Sequence, residues 1–292
     1  MAALPEGIML RILPLLFALA CAKKEVAPAA AAKTTSAAGA ADAVAAEADA
    51  LWLERADELK LREALAKYEQ VVAADPSHRQ AHIRLTRGWY FWGDGFTTDK
   101  AVQAERWEKA VEWGNRCLAL NDAFAKGLAD GQKERDLTPT MTRADVGCAY
   151  WTATSLGKWA RTQGIATTLK HLNTVKAYIT RVEELQPDYF NYGPARYWGA
   201  YNIGVPFGKD PEKSAQYFQA SIDGAPWYLA TRTLRAEFLW TYNRDRARFE
   251  EDLRHVIDAE ANANPEADVG PENIRERIKA KELLARAPEL FE

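Results

Sequence analysis

From about residue 48 onward, apolar side chains recur at spacings of three and four, and the strict alternation of a half-buried strand is absent. That period predicts helices throughout. One register repeats within it: a small or apolar residue, a second four later, a third three after that, and a helix-stopping position five further on. The copies are Ala64, Tyr68, Val71 and Pro76; Ala110, Gly114, Cys117 and Asp122; Val175, Ile179, Val182 and Pro187; Ser214, Phe218, Ser221 and Pro226; and a degenerate Phe249, Leu253, Val256 and Ala261. The first three positions lie on one helix face, and small residues there let a partner helix approach closely. Proline at the fourth ends the helix. Candidate first helices precede each copy, over 49–61, 79–92, 144–163, 192–204 and 228–242.

That register matches the second helix of a tetratricopeptide repeat. The expected fold is therefore all-α: about four to five tetratricopeptide-like helical hairpins with a C-terminal capping helix. The copies start 46, 65, 39 and 35 residues apart, against an ideal near ~34. The excess reads as insertions, chiefly 93–103 and 125–143, mapping to loops on one face. The capping helix is expected over 271–287, with Ile274, Ile278, Leu283 and Leu284 inside and Arg275, Arg277, Lys279 and Glu282 outside. Pro288 ends it.

The N-terminal part has a different character. Residues 12–20 (ILPLLFALA) form an apolar run too short to span a bilayer but suited to an export signal. The signal begins at Met1 or at Met9. Ala18, Leu19 and Ala20 before Cys21 resemble a bacterial lipobox, with leucine one position late. Cys21 then becomes the acylated N-terminus; plain secretion, with Cys21 discarded, is the other reading. Residues 22–47 are alanine-rich, with Pro, Ser, Thr and Gly and no aromatic residue, and read as a tether, part of which joins the first helix. The expected organisation is a signal peptide (1–20), a lipidated cysteine and tether (21–47), and a helical-repeat domain (48–292). Ala22 carries no acidic retention signal, which favours an outer-membrane anchor facing the periplasm.

Composition sharpens this picture. Apolar content of 48% supports a large core, and a net charge of −3 with mixed signs argues against nucleic-acid binding. Cys117 and Cys148 sit in apolar helical patterns and read as buried free thiols; pairing in an oxidising compartment is the alternative. No phosphate-binding glycine loop, GxSxG, HExxH or CxxC occurs, so no enzyme, cofactor or metal is expected. His78 and His82 are four apart but lack a third ligand and read as solvated. The charged stretch 232–254 reads as a helical pair with solvent-facing ion pairs.

Helix–helix grooves remain as the functional surface. Residues 188–204 (DYFNYGPARYWGAYNIG) carry six aromatic side chains. Tyr197 and Tyr201 share a face, with Trp198 about 100° away. The simplest division gives Trp198 to the core and the two tyrosines, with Arg196, to the groove; packing of both tyrosines between repeats is the other reading. Lys158, beside Trp159 in 148–172, reads as a surface lysine or as an anion contact in a cavity.

Four ordered segments, AYWTATSLGKWA, RVEELQPDYFNYGPARYWGAY, KDPEKSAQYFQASIDGAPWYLATRTLRAE and PENIRERIKAKELLARAPELF, together resemble the TatT component family of TRAP (tripartite ATP-independent periplasmic) transporters, over residues 50–291. The resemblance implies a lipoprotein of tetratricopeptide-like helix pairs that associates as a homotrimer and pairs with a TRAP-type periplasmic solute-binding protein. It also implies a cavity or pore for a small organic or hydrophobic ligand, with Lys158, Trp159, Arg196, Tyr197 and Tyr201 as lining candidates. The competing reading is a repeat scaffold for envelope assembly, with no ligand of its own.

Overall fold

The computed structural model describes the chain from Ala29, with side chains from Ala41. Among the described residues there are thirteen α-helices and no strand. Five helix pairs follow one another: α1 (Ala29–Leu53) with α2 (Glu58–Ala74), α3 (Arg79–Gly95) with α4 (Lys100–Leu118), α6 (Val146–Thr162) with α7 (Ile165–Leu185), and α8 (Tyr189–Gly204) with α9 (Pro211–Gly224). The fifth joins α10 (Ala230–Leu234), continued by a π-helical segment Arg235–Trp240, to α11 (Arg246–Asp258).

Local sequence starts these helices where it should. Asp57, Asp99, Asn121, Asp210 and Asp245 each cap a helix by accepting from backbone N–H groups of its first turn, satisfying donors that otherwise have no partner. Every apolar or small residue of the repeated register is buried, from Ala64, Tyr68 and Val71 on α2 to Phe249, Leu253 and Val256 on α11. Those faces bind each second helix to its neighbours.

Several details differ from expectation. The first helix is not 49–61: α1 ends at Leu53, and 58–61 already belong to α2. Much of the alanine-rich stretch is part of α1, as alanine's helix propensity favours, and Ala41, Ala48 and Trp52 are buried. Residues 93–103 are no looped insertion; Gly93 to Gly95 extend α3 and Lys100 to Gln103 open α4. The 125–143 insertion is folded as well. It forms most of α5 (Asp122–Ala129) and a 3-10 turn (Glu134–Thr140), and lays Leu137 into the core, where Phe124 of α5 meets Tyr178. Cys117 and Cys148 are not free thiols but form a disulfide between α4 and α6. Adjacent register faces bring their Cα atoms to 5.4 Å, within bridging range. His82 is buried, not solvated, bonding the Pro76 carbonyl through Nε2 (3.0 Å), while His78 caps α3.

The largest departure is α12 (Gly270–Ala285), followed by the short α13 (Ala287–Phe291). Pro288 lies inside α13 and does not end the cap. Ile274 and Ile278 are exposed at 45% and 40%, whereas Glu272, Asn273, Glu276 and Ala280 are buried. Leu283 and Leu284 pack against the core and Glu282 is exposed, as expected, but the earlier turns are rotated because α12 folds back onto α3 of the second pair as well as onto α10 and α11, and α3 presents arginines to it. The 232–254 stretch is also partly interior. Buried Asp252 accepts from Arg232 (3.0 Å), Arg235 (2.7 and 2.8 Å) and the indole N–H of Trp240 (2.8 Å).

Candidate functional site

The return of α12 to α3 brings several charged faces together. Arg87, Tyr90 and Asp94 recur at three and four along α3; Glu272, Glu276 and Lys279 do so along α12, so each set shares one helix face. At one end, Glu272 accepts from Arg55 (3.1 and 2.6 Å) and from Arg87 (2.6 Å). Asp268 pairs with Arg55 (2.9 Å) and Arg84 (3.2 Å). Three guanidiniums lie over or beside the Trp52 ring at 4.7, 4.8 and 5.2 Å. Burial alone would raise the Glu272 carboxyl, but Arg55 and Arg87 outweigh it and hold it below its ordinary range.

At the other end, Asp94 bridges two lysines, Lys158 of α6 at 2.5 Å and Lys279 of α12 at 2.8 Å; Lys279 also meets Glu276 at 2.9 Å. Burial opposes the charge on Asp94, yet the two ammoniums hold its carboxyl well below the usual carboxylate range. The reciprocal balance, burial against Asp94 and Glu276, raises Lys279. Both lysines are half-buried, with 32% of the Lys279 side-chain surface and 34% of that of Lys158 accessible.

Between these ends sits Arg196 of α8, 5% exposed. Its guanidinium donates to the Tyr150 hydroxyl (2.9 Å) and to the carbonyls of Phe190 (3.2 Å) and Asn191 (2.9 Å), and lies 4.4 Å from the Tyr228 ring centre. Among the described residues no carboxylate lies within ion-pair distance of it. Burial disfavours its charge, but the hydroxyls of Tyr150 and Tyr228 more than compensate and raise its pKa. Tyr90 connects the two regions: burial pushes its hydroxyl up, and Asp94, Tyr228 and Tyr150 add to that.

The chain at the start of α8 explains how Arg196 finds two carbonyls. Phe190, Asn191 and Tyr192 all adopt left-handed conformations, with φ of 47°, 56° and 55°. Each such non-glycine residue costs ~1–2 kcal/mol. The turn is held by Arg196 and by the Trp227 indole N–H, which donates to the Asn191 side chain at 2.6 Å. Gly193 is required next, because a Cβ there would lie 2.5–2.6 Å from atoms of the Tyr150 ring and hydroxyl.

A model of the family described as TRAP transporter T-component matches residues 57–291. The chain belongs to that family. A search of curated proteins gave no match. This T-component is thus a transport component of the cell envelope, from a family not known for enzymes. Among its described residues, no helix is long and apolar enough to cross a membrane, and no three His, Cys, Asp or Glu side chains gather as metal ligands.

The five residues singled out from the T-component's sequence fall into two groups. Lys158 and Arg196 belong to the inner set just described, Lys158 being neither a plain surface lysine nor unpaired. Trp159, Tyr197 and Tyr201 lie away from it, toward α7. Trp159 meets His171 at 5.7 Å, Tyr197 stacks on Tyr201 at 6.0 Å, and Lys176 lies over Tyr201. Trp198 joins that second cluster and donates to Glu183 of α7 at 2.9 Å. Arg196 therefore does not share a face with the two tyrosines. Sequence reasoning missed Asp94, Tyr150, Tyr228, Glu272 and Lys279; the available signal was charge recurring at helical spacing on faces that also carry the core. A cavity of about 690 Å³ opens between α9 and α11 around Trp240, but Arg235 there is already paired with Asp252.

Proposed function

We propose that this protein is a membrane-tethered periplasmic accessory component of a TRAP-type solute transport system. In this reading it docks a solute-binding protein and holds or passes a small ligand through a hollow enclosed by its helix pairs, which are tetratricopeptide-like repeats. One observation carries the ligand part: the Arg196 guanidinium is buried, and among the described residues no carboxylate lies within ion-pair distance of it. The proposed hollow lies beside it. Lys158 and Arg196 are its proposed contacts, joined by Asp94, Tyr90, Tyr150 and Tyr228. Trp159, Tyr197 and Tyr201 stand behind them as a supporting aromatic wall. A buried guanidinium without a counter-ion is costly, and a polar or anionic ligand group would relieve that cost.

The anchor is proposed at Cys21, which lies outside the described residues, with outer-membrane attachment and assembly as a homotrimer. Cys21→Ser should leave a soluble or unprocessed protein; a fully processed variant that still partitions into detergent excludes the lipoprotein. The ligand claim is tested by native mass spectrometry of the purified protein and of Arg196→Gln. A bound small molecule lost in the variant supports the hollow. A bare mass for both reduces the protein to an adaptor, which capture of the solute-binding protein would then still test.

A further inference from the structure

A second cavity, of about 300 Å³, opens at the start of α6 and shares Arg84 and Arg87 with the charged set around Asp268 and Glu272. Its wall is formed by α3, by the 3-10 turn Arg143–Asp145 with the first turns of α6, and by the α7–α8 junction. Three arginines line it, Arg84, Arg87 and Arg143, together with the rings of Trp151 and Tyr189, and no carboxylate does. The carboxylates stand behind the wall. Asp268 and Glu272 pair with Arg84, Arg87 and Arg55, and Asp49 lies 3.9 Å from Arg84. Nearby Asp145 is paired with Arg79 at 2.7 Å. Arg143 forms no ion pair among the described residues. Four guanidiniums thus face three carboxylates, leaving one positive charge in excess at the cavity.

The walls are built for occupancy. Gly147 lets Ile83 and Tyr189 close in: a Cβ there would lie 2.8 Å from the Ile83 methyl and 3.0 Å from the Tyr189 hydroxyl. The strained left-handed turn begins immediately after Tyr189 and sets the Phe190 ring 4.5 Å from Trp151 and 4.6 Å from the Arg87 guanidinium. Backbone strain held in place by surrounding packing is characteristic of ligand sites. The volume suits a small molecule, and the planar fork of arginine suits a carboxylate.

We propose that this cavity binds a small organic monocarboxylate, with its carboxyl group held by Arg143 and Arg84 against Arg87 and its body against Trp151 and Tyr189. This site is separate from the inner hollow and does not depend on it. Fluorine NMR of 4-fluorobenzoate with the full chain at neutral pH tests it, with 4-fluorobenzyl alcohol as the uncharged control. Saturable broadening of the benzoate signal but not of the alcohol is expected. Arg143→Gln should weaken binding roughly tenfold, the size of one charge-assisted hydrogen bond; Arg143 is exposed and its side chain pairs with no described residue, so the change leaves folding intact. Arg196→Gln should leave the titration unchanged. The proposal is overturned if the native chain shows no saturable binding, if the alcohol binds equally, or if Arg143→Gln has no effect. Loss of binding in Arg196→Gln alone would move the anion to the inner hollow and overturn this site while supporting the other.

Discussion

Glu272→Gln isolates the charge that closes the C-terminal helix onto the N-terminal pairs. The replacement keeps the side chain's shape, so no cavity forms. It leaves Arg55, fully buried, and Arg87, 8% exposed, with Asp268 as their remaining carboxylate. The amide also points a donor toward a guanidinium that has nothing to accept it. Removing one partner of a buried ion pair costs ~3–5 kcal/mol, because the surviving charges stay desolvated. In a chain of this size each kcal/mol lowers Tm by about 2–4 °C, giving a loss of roughly 6–20 °C. The pH dependence supplies an independent sign. Burial raises the Glu272 carboxyl, but Arg55 and Arg87 pull it below its unfolded value of 4.5. The wild-type advantage is therefore complete above pH 4.5 and shrinks as pH falls below it, through the folded-state value. Urea unfolding of both proteins across that range measures the gap. A difference under ~1 kcal/mol at neutral pH, or a gap that grows on acidification, would refute the closure argument.

Three other outcomes follow from the same geometry. Replacing Cys117 and Cys148 by serine opens a loop of 31 residues; the chain-entropy cost is ~3.5–4 kcal/mol, visible as a lower urea midpoint, and dithiothreitol should match it in the native chain. Gly193→Ala should cost ~1–3 kcal/mol and move the Tyr150 hydroxyl off Arg196, read as a shifted tyrosine signal by NMR and as loss of any retained ligand. Asp94→Asn leaves Lys158 and Lys279 facing each other; with a third of each side chain solvated, its cost should stay near ~1–3 kcal/mol, and added salt should recover part of it.

What was legible in the sequence was the part governed by local rules. The second helix of each pair carries its register on a single face, and every one of those apolar or small positions is buried. The family resemblance rested on segments that the family model then covered. Long-range closure was not legible. Ile274 and Ile278 look like core positions, but α12 must satisfy Arg55 and Arg87, partners more than 180 residues away, so its acidic face turns inward. The cysteine pair failed for a related reason: α4 and α6 are separated by an insertion, and nothing local shows that their faces meet. Tyr197 and Tyr201 were grouped correctly with each other by spacing, while Arg196, one residue off that face, turns toward Tyr150.

The central claim is an internal space reached by small molecules but not by large ones. Lys158→Cys, in a chain with Cys21→Ser and the native disulfide intact, places one reactive thiol at that space. A small methanethiosulfonate reagent should label it readily, while a maleimide carrying a long polyethylene glycol chain should label it only after unfolding. Equal labelling of the folded protein by both reagents, or by neither, would mean that Lys158 lies on an open surface or in solid packing, and would contradict the account.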